Sequence, residues 1–180
     1  PQRVLAADRV IFPGVGAAGA AMQDLAELQL GDAIRQVVSD GVPFLGICLG
    51  TQIIFSRSEE DGGTVCLGII PGAVTRFDPT DHFDKIPHMG WNAVRARRPH
   101  PVLAGIEDDS EFYFVHSYYP KPDQDEYVIG ETTYADVCFA SVVGRANLVA
   151  TQFHPERSGR IGMQLLENFI RRQPRRRLPV

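Results

Sequence analysis

In the first third of the chain, short all-apolar runs bounded by glycine and proline alternate with a stretch of helical spacing. Val10-Ile11-Phe12 closes on Pro13-Gly14-Val15-Gly16, which predicts a buried strand ending in a glycine turn. From Ala17 to Asp40 the apolar positions recur at helical spacing. Met22, Leu25 and Leu28 share one face, Ile34, Val37 and Val38 repeat it, and Gly41 supplies a stop. Pro43 to Ile47 predicts the next buried strand. Strand, helix and strand joined by short connections imply a parallel sheet with helices on its faces.

The middle of the chain changes character. Residues 64–76, 91–97, 111–119 and 126–153 are rich in Val, Ile, Tyr, Phe and Thr and are broken by Pro and Gly, which predicts a succession of strands. The last element is a helix from about Arg160 to Arg172, with Ile161, Leu165, Leu166, Phe169 and Ile170 as its apolar stripe. The fold class expected is α/β: a three-layer, open, mostly parallel central sheet with helices on both faces and a smaller antiparallel section.

Composition narrows the function classes. A chain of 180 residues suits one domain, and 44% hydrophobic with 22% charged residues is ordinary for a globular protein. The net charge of −4 implies no nucleic-acid partner. The basic tail from Arg171 to Arg177 is expected to be a solvated terminus. No stretch has the length and apolarity of a membrane span, and no signal-peptide pattern opens the chain. Three scattered cysteines, Cys48, Cys66 and Cys138, do not form a disulfide framework, so a reducing cytoplasm is the expected compartment. Cys66 and Cys138 sit in apolar strand-like runs and are expected to be inert core thiols. His82, His88, His100 and His116 lack ligand spacing, so neither metal nor cofactor is expected.

Cys48 is different. It follows the apolar run Phe44-Leu45-Gly46-Ile47 and is bracketed by Gly46 and Gly50, the G-x-C-x-G form of a nucleophile elbow. Such a corner pushes the side chain out of the sheet, and small neighbours permit close backbone approach. The following helix start is expected to favour a thiolate over a thiol. A small buried hydrophobe is the competing role for a free cysteine. A nucleophile also needs a base. The strand Leu148 to Phe153 ends in His154-Pro155-Glu156, which puts an imidazole and a carboxylate together at a strand end, where crevices form in parallel sheets. The turn Pro13-Gly14-Val15-Gly16, with Leu49 beside the nucleophile, could supply backbone donors for an oxyanion. A phosphate cradle is the weaker alternative for that turn, since its glycines are accompanied by alanines and no lysine.

These pieces together resemble the class I, or triad, glutamine amidotransferases. The elbow through Gln52 and the triplet His154-Pro155-Glu156 carry the likeness. The strings Pro87-His88-Met89-Gly90-Trp91-Asn92, Tyr113 to Tyr119 and Gln152 to Gly159 narrow it to the glutaminase subunits of imidazole glycerol phosphate synthase. The resemblance implies that Cys48 attacks the glutamine side-chain amide, that His154 shuttles the proton and that Glu156 orients His154. It implies an oxyanion region at Gly14, Val15 and Leu49, and substrate contacts from Gly50, Gln52, Glu60, Ser117 and Tyr118. It further implies a heterodimer with a (β/α)₈-barrel cyclase subunit that receives the ammonia, with His88, Met89, Trp91 and Asn92 facing that partner. Simple packing is the competing role for the sole tryptophan.

The chain departs from the family pattern at Thr51, where Met is usual, and at Ser56, where an acidic residue is common. The family's first strand, Tyr-Gly-x-Gly-Asn turn and first helix also have no counterpart here, so one amidotransferase domain over residues 1–180, N-terminally incomplete, is expected. Three alternatives stay open: a non-catalytic module that docks to a barrel partner, the glutaminase subunit of another triad amidotransferase, and a Cys-dependent hydrolase of similar fold.

Overall fold

The structure, a computed structural model, describes residues 1–81 and 83–171. His82 and the basic tail beyond Arg171 lie outside the described residues. The chain runs through α1 (Gln2–Leu5), β1 (Val10–Gly14), α2 (Ala18–Glu27), α3 (Leu30–Ser39), β2 (Phe44–Cys48), α4 (Leu49–Gln52), β3 (Phe55–Ser58), β4 (Thr64–Val65) and β5 (Ile70–Arg76). It continues through β6 (His88–Ala96), β7 (Ser110–His116), β8 (Tyr118–Pro122), β9 (Val128–Tyr134), β10 (Val137–Arg145), β11 (Leu148–Thr151) and α5 (Gly159–Arg171).

A seven-stranded sheet has the order β1-β2-β11-β10-β9-β6-β7, and a four-stranded sheet has the order β4-β3-β5-β8. All five residues of β2 are buried, as expected of a strand covered on both faces. Its side chains alternate between two cores. Phe44 packs in the core that holds Ile34 and Val37 of α3, whereas Leu45 and Ile47 pack with Leu165 and Phe169 of α5. Helices therefore cover both faces, and the three-layer α/β expectation holds. The parallel part of the large sheet is narrower than expected: in it only β1, β2 and β11 run parallel, while β11, β10, β9, β6 and β7 pair antiparallel in succession. The central sheet is mixed.

The helical stretch from Ala17 to Asp40 is two helices, not one. Gln29 takes a left-handed conformation (φ 53°) that ends the first and starts the second. Leu28, expected on the buried face, is 60% exposed at this break. Residues after Gln52 turn into β3, which sequence periodicity did not separate from the preceding helix start. Cys138 also departs from expectation. It points outward from β10 and is exposed, whereas Cys66 is buried. No described helix is long and apolar enough to cross a membrane.

Candidate active site

β2 and β11 are parallel neighbours, with Ile47 opposite Thr151. Cys48 is the last residue of β2, and His154 follows β11 by a few residues, so the pairing brings both to one end of the sheet. Cys48 sits at φ 53°, ψ −109°, a conformation that side chains rarely adopt and that marks a strained elbow. The glycine bracket exists for close packing. A Cβ on Gly50 would lie 1.9 Å from the Phe12 carbonyl oxygen, and one on Gly46 would lie 2.9 Å from the Gly50 carbonyl oxygen. The corner is thus pressed against β1 on one side and folded over its own strand on the other.

Cys48 and His154 line one cavity of about 310 Å³, together with Val15, Gly16, Leu49, Gln52, Glu60, Pro87, Val115, His116, Ser117 and Tyr118. The His154 ring is oriented on one side: Nδ1 lies 2.7 Å from Glu156 Oε1. Its Nε2 is buried with no hydrogen-bond partner among the described residues. The loop carrying it is fixed by backbone bonds, since His154 N–H donates to the Tyr113 carbonyl and the Ser158 hydroxyl donates to the His154 carbonyl. Gly162 of α5 keeps this loop close, because a Cβ there would lie 1.9 Å from the Pro155 carbonyl oxygen.

The sulfur is held by its neighbours. Gln152 Nε2 lies 3.9 Å from Cys48 Sγ, and Sγ lies 4.0 Å from the Val115 carbonyl oxygen. The expected thiolate is not the resting form. Burial pushes the Cys48 thiol up to about 11, the backbone bond from Leu49 opposes this, and the charges of Glu156 and Glu60 add to it. α4 is only four residues long, too short for its dipole to outweigh the desolvation. The resting group is a neutral thiol that needs a base.

Most expected substrate positions gather here. Gln52, Glu60, Ser117 and Tyr118 line the cavity, as do Val15 and Leu49 of the expected oxyanion region. Glu60 Oε2 also accepts a hydrogen bond from Ala18 N–H at 2.7 Å, so this carboxylate caps α2 directly behind the glycine turn. Gly14 and Gly50 line a neighbouring cavity between β1 and α2 instead, and Gly50 acts by close packing rather than by facing the pocket. Thr51 is fully buried and donates to the Thr151 carbonyl at 2.6 Å, away from the pocket, whereas Ser56 is exposed. Gln152 was not singled out from the sequence. Its place two residues before His154, just past the end of β11 and beside the end of β2, is the signal that could have found it.

Of the four residues expected to face a partner, Met89 and Trp91 are 63% and 54% exposed, so Trp91 is not a core side chain. Asn92 is half-buried. His88 contradicts the expectation, being 2% exposed with its ring stacked between Tyr134 and Phe114. Among the described residues, no group of three His, Cys, Asp or Glu side chains is placed to hold a metal ion.

Residues 3–173 match the family model described as glutamine amidotransferase class-I. The chain is 50% identical over 170 residues to imidazole glycerol phosphate synthase subunit HisH of Nitrosococcus oceani, covering 94% of this chain and 80% of that protein. It is 49% identical over 169 residues to the subunit of that name from Methanocaldococcus jannaschii, covering 94% and 83%. Among solved structures, a PurLQS structure from Thermotoga maritima aligns with TM-score 0.68 at 17% identity, covering 91% of this chain and 78% of that one. The glutaminase domain of Trypanosoma brucei CTPS with bound acivicin aligns with TM-score 0.63 at 16% identity, covering 95% and 74%. At those identities the structural matches speak for the fold alone.

The chain belongs to the class I glutamine amidotransferases. Within that class it is a glutaminase subunit of the imidazole glycerol phosphate synthase type, an enzyme component of histidine biosynthesis.

Proposed function

We propose that Cys48, His154 and Glu156 form the catalytic triad of this glutaminase. The observation carrying the reading is the cavity shared by the Cys48 thiol and a His154 ring whose Nδ1 is occupied by Glu156 and whose Nε2 is buried and unpartnered. Glutamine enters with its side-chain amide toward Sγ. The thiol proton passes to His154 Nε2 as sulfur attacks the amide carbon. The oxygen of the tetrahedral adduct takes up negative charge and is received by backbone N–H groups of the Gly14-Val15 turn and Leu49. Collapse returns the proton to the leaving nitrogen, releasing ammonia and a glutamyl thioester. Water, deprotonated by His154, then hydrolyses the thioester to glutamate and restores the thiol.

Gln52, Glu60, Ser117 and Tyr118 are the proposed substrate contacts. Gln52 spends its N–H groups on the Tyr118 carbonyl and Gln152 Oε1, which leaves its own oxygen for a substrate donor. The domain is proposed to be a single amidotransferase unit working in the cytoplasm as a heterodimer with a (β/α)₈-barrel cyclase. Ammonia released into water is protonated and lost, so an enclosed route to the second site is the physical reason for pairing. The exposed Met89 and Trp91 are the proposed docking contacts.

A specific feature favours low activity of the subunit by itself: its thiol is neutral, and no hydrogen bond joins it to the His154 ring. Docking is proposed to complete that contact. Glutamine hydrolysis measured with and without the cyclase subunit tests the reading. A rate that rises on adding the cyclase is expected, and equal rates contradict the coupling.

A further inference from the structure

β6 carries its alternation inverted. Met89 and Trp91 point to solvent, while His88 and Asn92 point inward beside a core of aromatic rings. His88 lies directly across from His116 in the β6–β7 pairing, and both rings are almost fully buried. Burying two imidazoles is costly unless every ring nitrogen finds a partner, and here each does. His116 Nδ1 lies 2.7 Å from the Tyr118 carbonyl oxygen, which can only accept, so this nitrogen carries the proton. His116 Nε2 is then an acceptor, and His88 Nδ1, at 3.0 Å, must be its donor. His88 Nε2 is an acceptor in turn and receives Asn92 Nδ2–H at 3.2 Å. The other hydrogen of that amide goes to the Thr133 carbonyl, and Asn92 Oδ1 accepts from Ala93 N–H, so the amide orientation is fixed independently. Every proton runs one way, from Asn92 through both rings to Tyr118.

The receiving carbonyl stands at a critical place. His116 ends β7 in the large sheet, and Tyr118 starts β8 in the small one, so the chain changes sheets at Ser117. The Tyr118 carbonyl also accepts Gln52 Nε2–H at 3.0 Å, and Gln52 continues to Gln152, which touches the Cys48 sulfur. We propose that His88 and His116 are positioning residues for glutamine hydrolysis: as a neutral relay of two Nδ1–H tautomers they fix the Tyr118 carbonyl, and through it Gln52 and the substrate-facing wall of the pocket. The assignment rests on the glutaminase reading of that cavity. The relay predicts that losing the His88 donor loosens substrate binding more than it slows chemistry, because the Cys48–His154–Glu156 set remains in place.

Two measurements test it. The first needs no activity: the imidazole nitrogen resonances of His88 and His116 are recorded on the free chain at pH 7. Both rings are expected as the Nδ1–H tautomer with an unprotonated Nε2. An Nε2–H tautomer or an imidazolium at either ring overturns the relay, and it does so whether or not the glutaminase reading holds. The second compares His88→Phe with His88→Asn in complex with the cyclase. Phe keeps the stacked ring but has no donor; Asn loses the ring but places an N–H where Nδ1 was. The KM for glutamine is expected to rise roughly tenfold in the Phe variant, as when a buried acceptor loses its donor, with kcat changed less, and to return to within about threefold of the parent in the Asn variant. The reverse order, with Phe near the parent and Asn impaired, makes His88 a packing residue and overturns the proposal.

Discussion

Glu156 Oε1 sits 2.7 Å from Nδ1 of His154, while Nε2 of the same ring is buried and unpartnered. The carboxylate selects the tautomer that leaves Nε2 free to accept a proton. It is half-exposed, with a side chain 46% accessible, so solvent screens part of its effect. Glu156→Gln keeps a hydrogen-bonding group but loses the charge that stabilises the imidazolium. The kcat for glutamine hydrolysis is expected to fall roughly 100-fold with KM little changed. Steady-state kinetics of the variant in complex with the cyclase check this.

The resting Cys48 thiol, pushed up to about 11, gives a second expectation. Alkylation of Cys48 in the free chain by a small neutral haloacetamide should increase steadily with pH beyond pH 9 and approach its midpoint near 11. Glu156 and Glu60 both raise this value, so neutralising either should lower the midpoint. Glu156→Gln should therefore alkylate faster than the parent at pH 8 while turning over more slowly. Site-resolved mass spectrometry of the alkylated cysteine reports both. A midpoint near neutrality in the free parent chain would show that the thiol is already activated.

Gly50 lets α4 rest on β1. The added Cβ of Gly50→Ala meets the Phe12 carbonyl oxygen at 1.9 Å, a contact with backbone that no rotamer relieves. The corner must lift from β1, and a loss of about 2–4 kcal/mol in folding stability is expected. Urea unfolding, with the midpoint lowered and the slope unchanged, is the measurement.

Much of this site was legible in the sequence because its chemistry sits at two neighbouring strand ends. An apolar run, a glycine-bracketed cysteine, and a histidine and glutamate after another apolar run each signal themselves locally. What the sequence did not disclose depends on contacts between distant segments. β6, β7, β9 and β10 read as strands, but their antiparallel pairing in one sheet, with β8 passing to the other, is a choice among partners that no local pattern encodes. The break at Gln29 is one residue's backbone conformation within an otherwise continuous helical pattern. In the first half of β6 the usual rule is reversed: hydrophobicity would put Met89 and Trp91 inside, yet they are exposed while His88 is buried and Asn92 half-buried, because His116 and Thr133 offer these two partners. The thiolate expectation failed for an energetic reason, since burial of Cys48 outweighs the backbone donor at Leu49.

The buried histidine pair makes folding acid-sensitive. Burial lowers His88 from 6.5 to about 4 and His116 to about 3, while the backbone bond to Tyr118 opposes the shift in His116 and the charges of His88 and His154 add to it. Burial and the charge of Glu59 raise the nearby Tyr119 phenol, so it stays neutral in the same range. Between about pH 4 and 6.5 the unfolded chain binds protons at these rings that the folded chain does not, so stability rises with pH there and falls as pH drops. Each ring contributes a slope approaching about 1.4 kcal/mol per pH unit. Urea unfolding between pH 4.5 and 7 is expected to give a shallower slope for His88→Phe than for the parent.

The most direct measurement is the site of covalent capture by a thiol-directed glutamine analogue in the complex with the cyclase, located by mass spectrometry and paired with glutamine turnover. Modification of Cys48 alone, sparing Cys66 and the exposed Cys138, with turnover lost in step and both abolished in Cys48→Ser, is the expected result. Glutamine hydrolysis that persists in Cys48→Ser would contradict the assignment of this sulfur as the nucleophile.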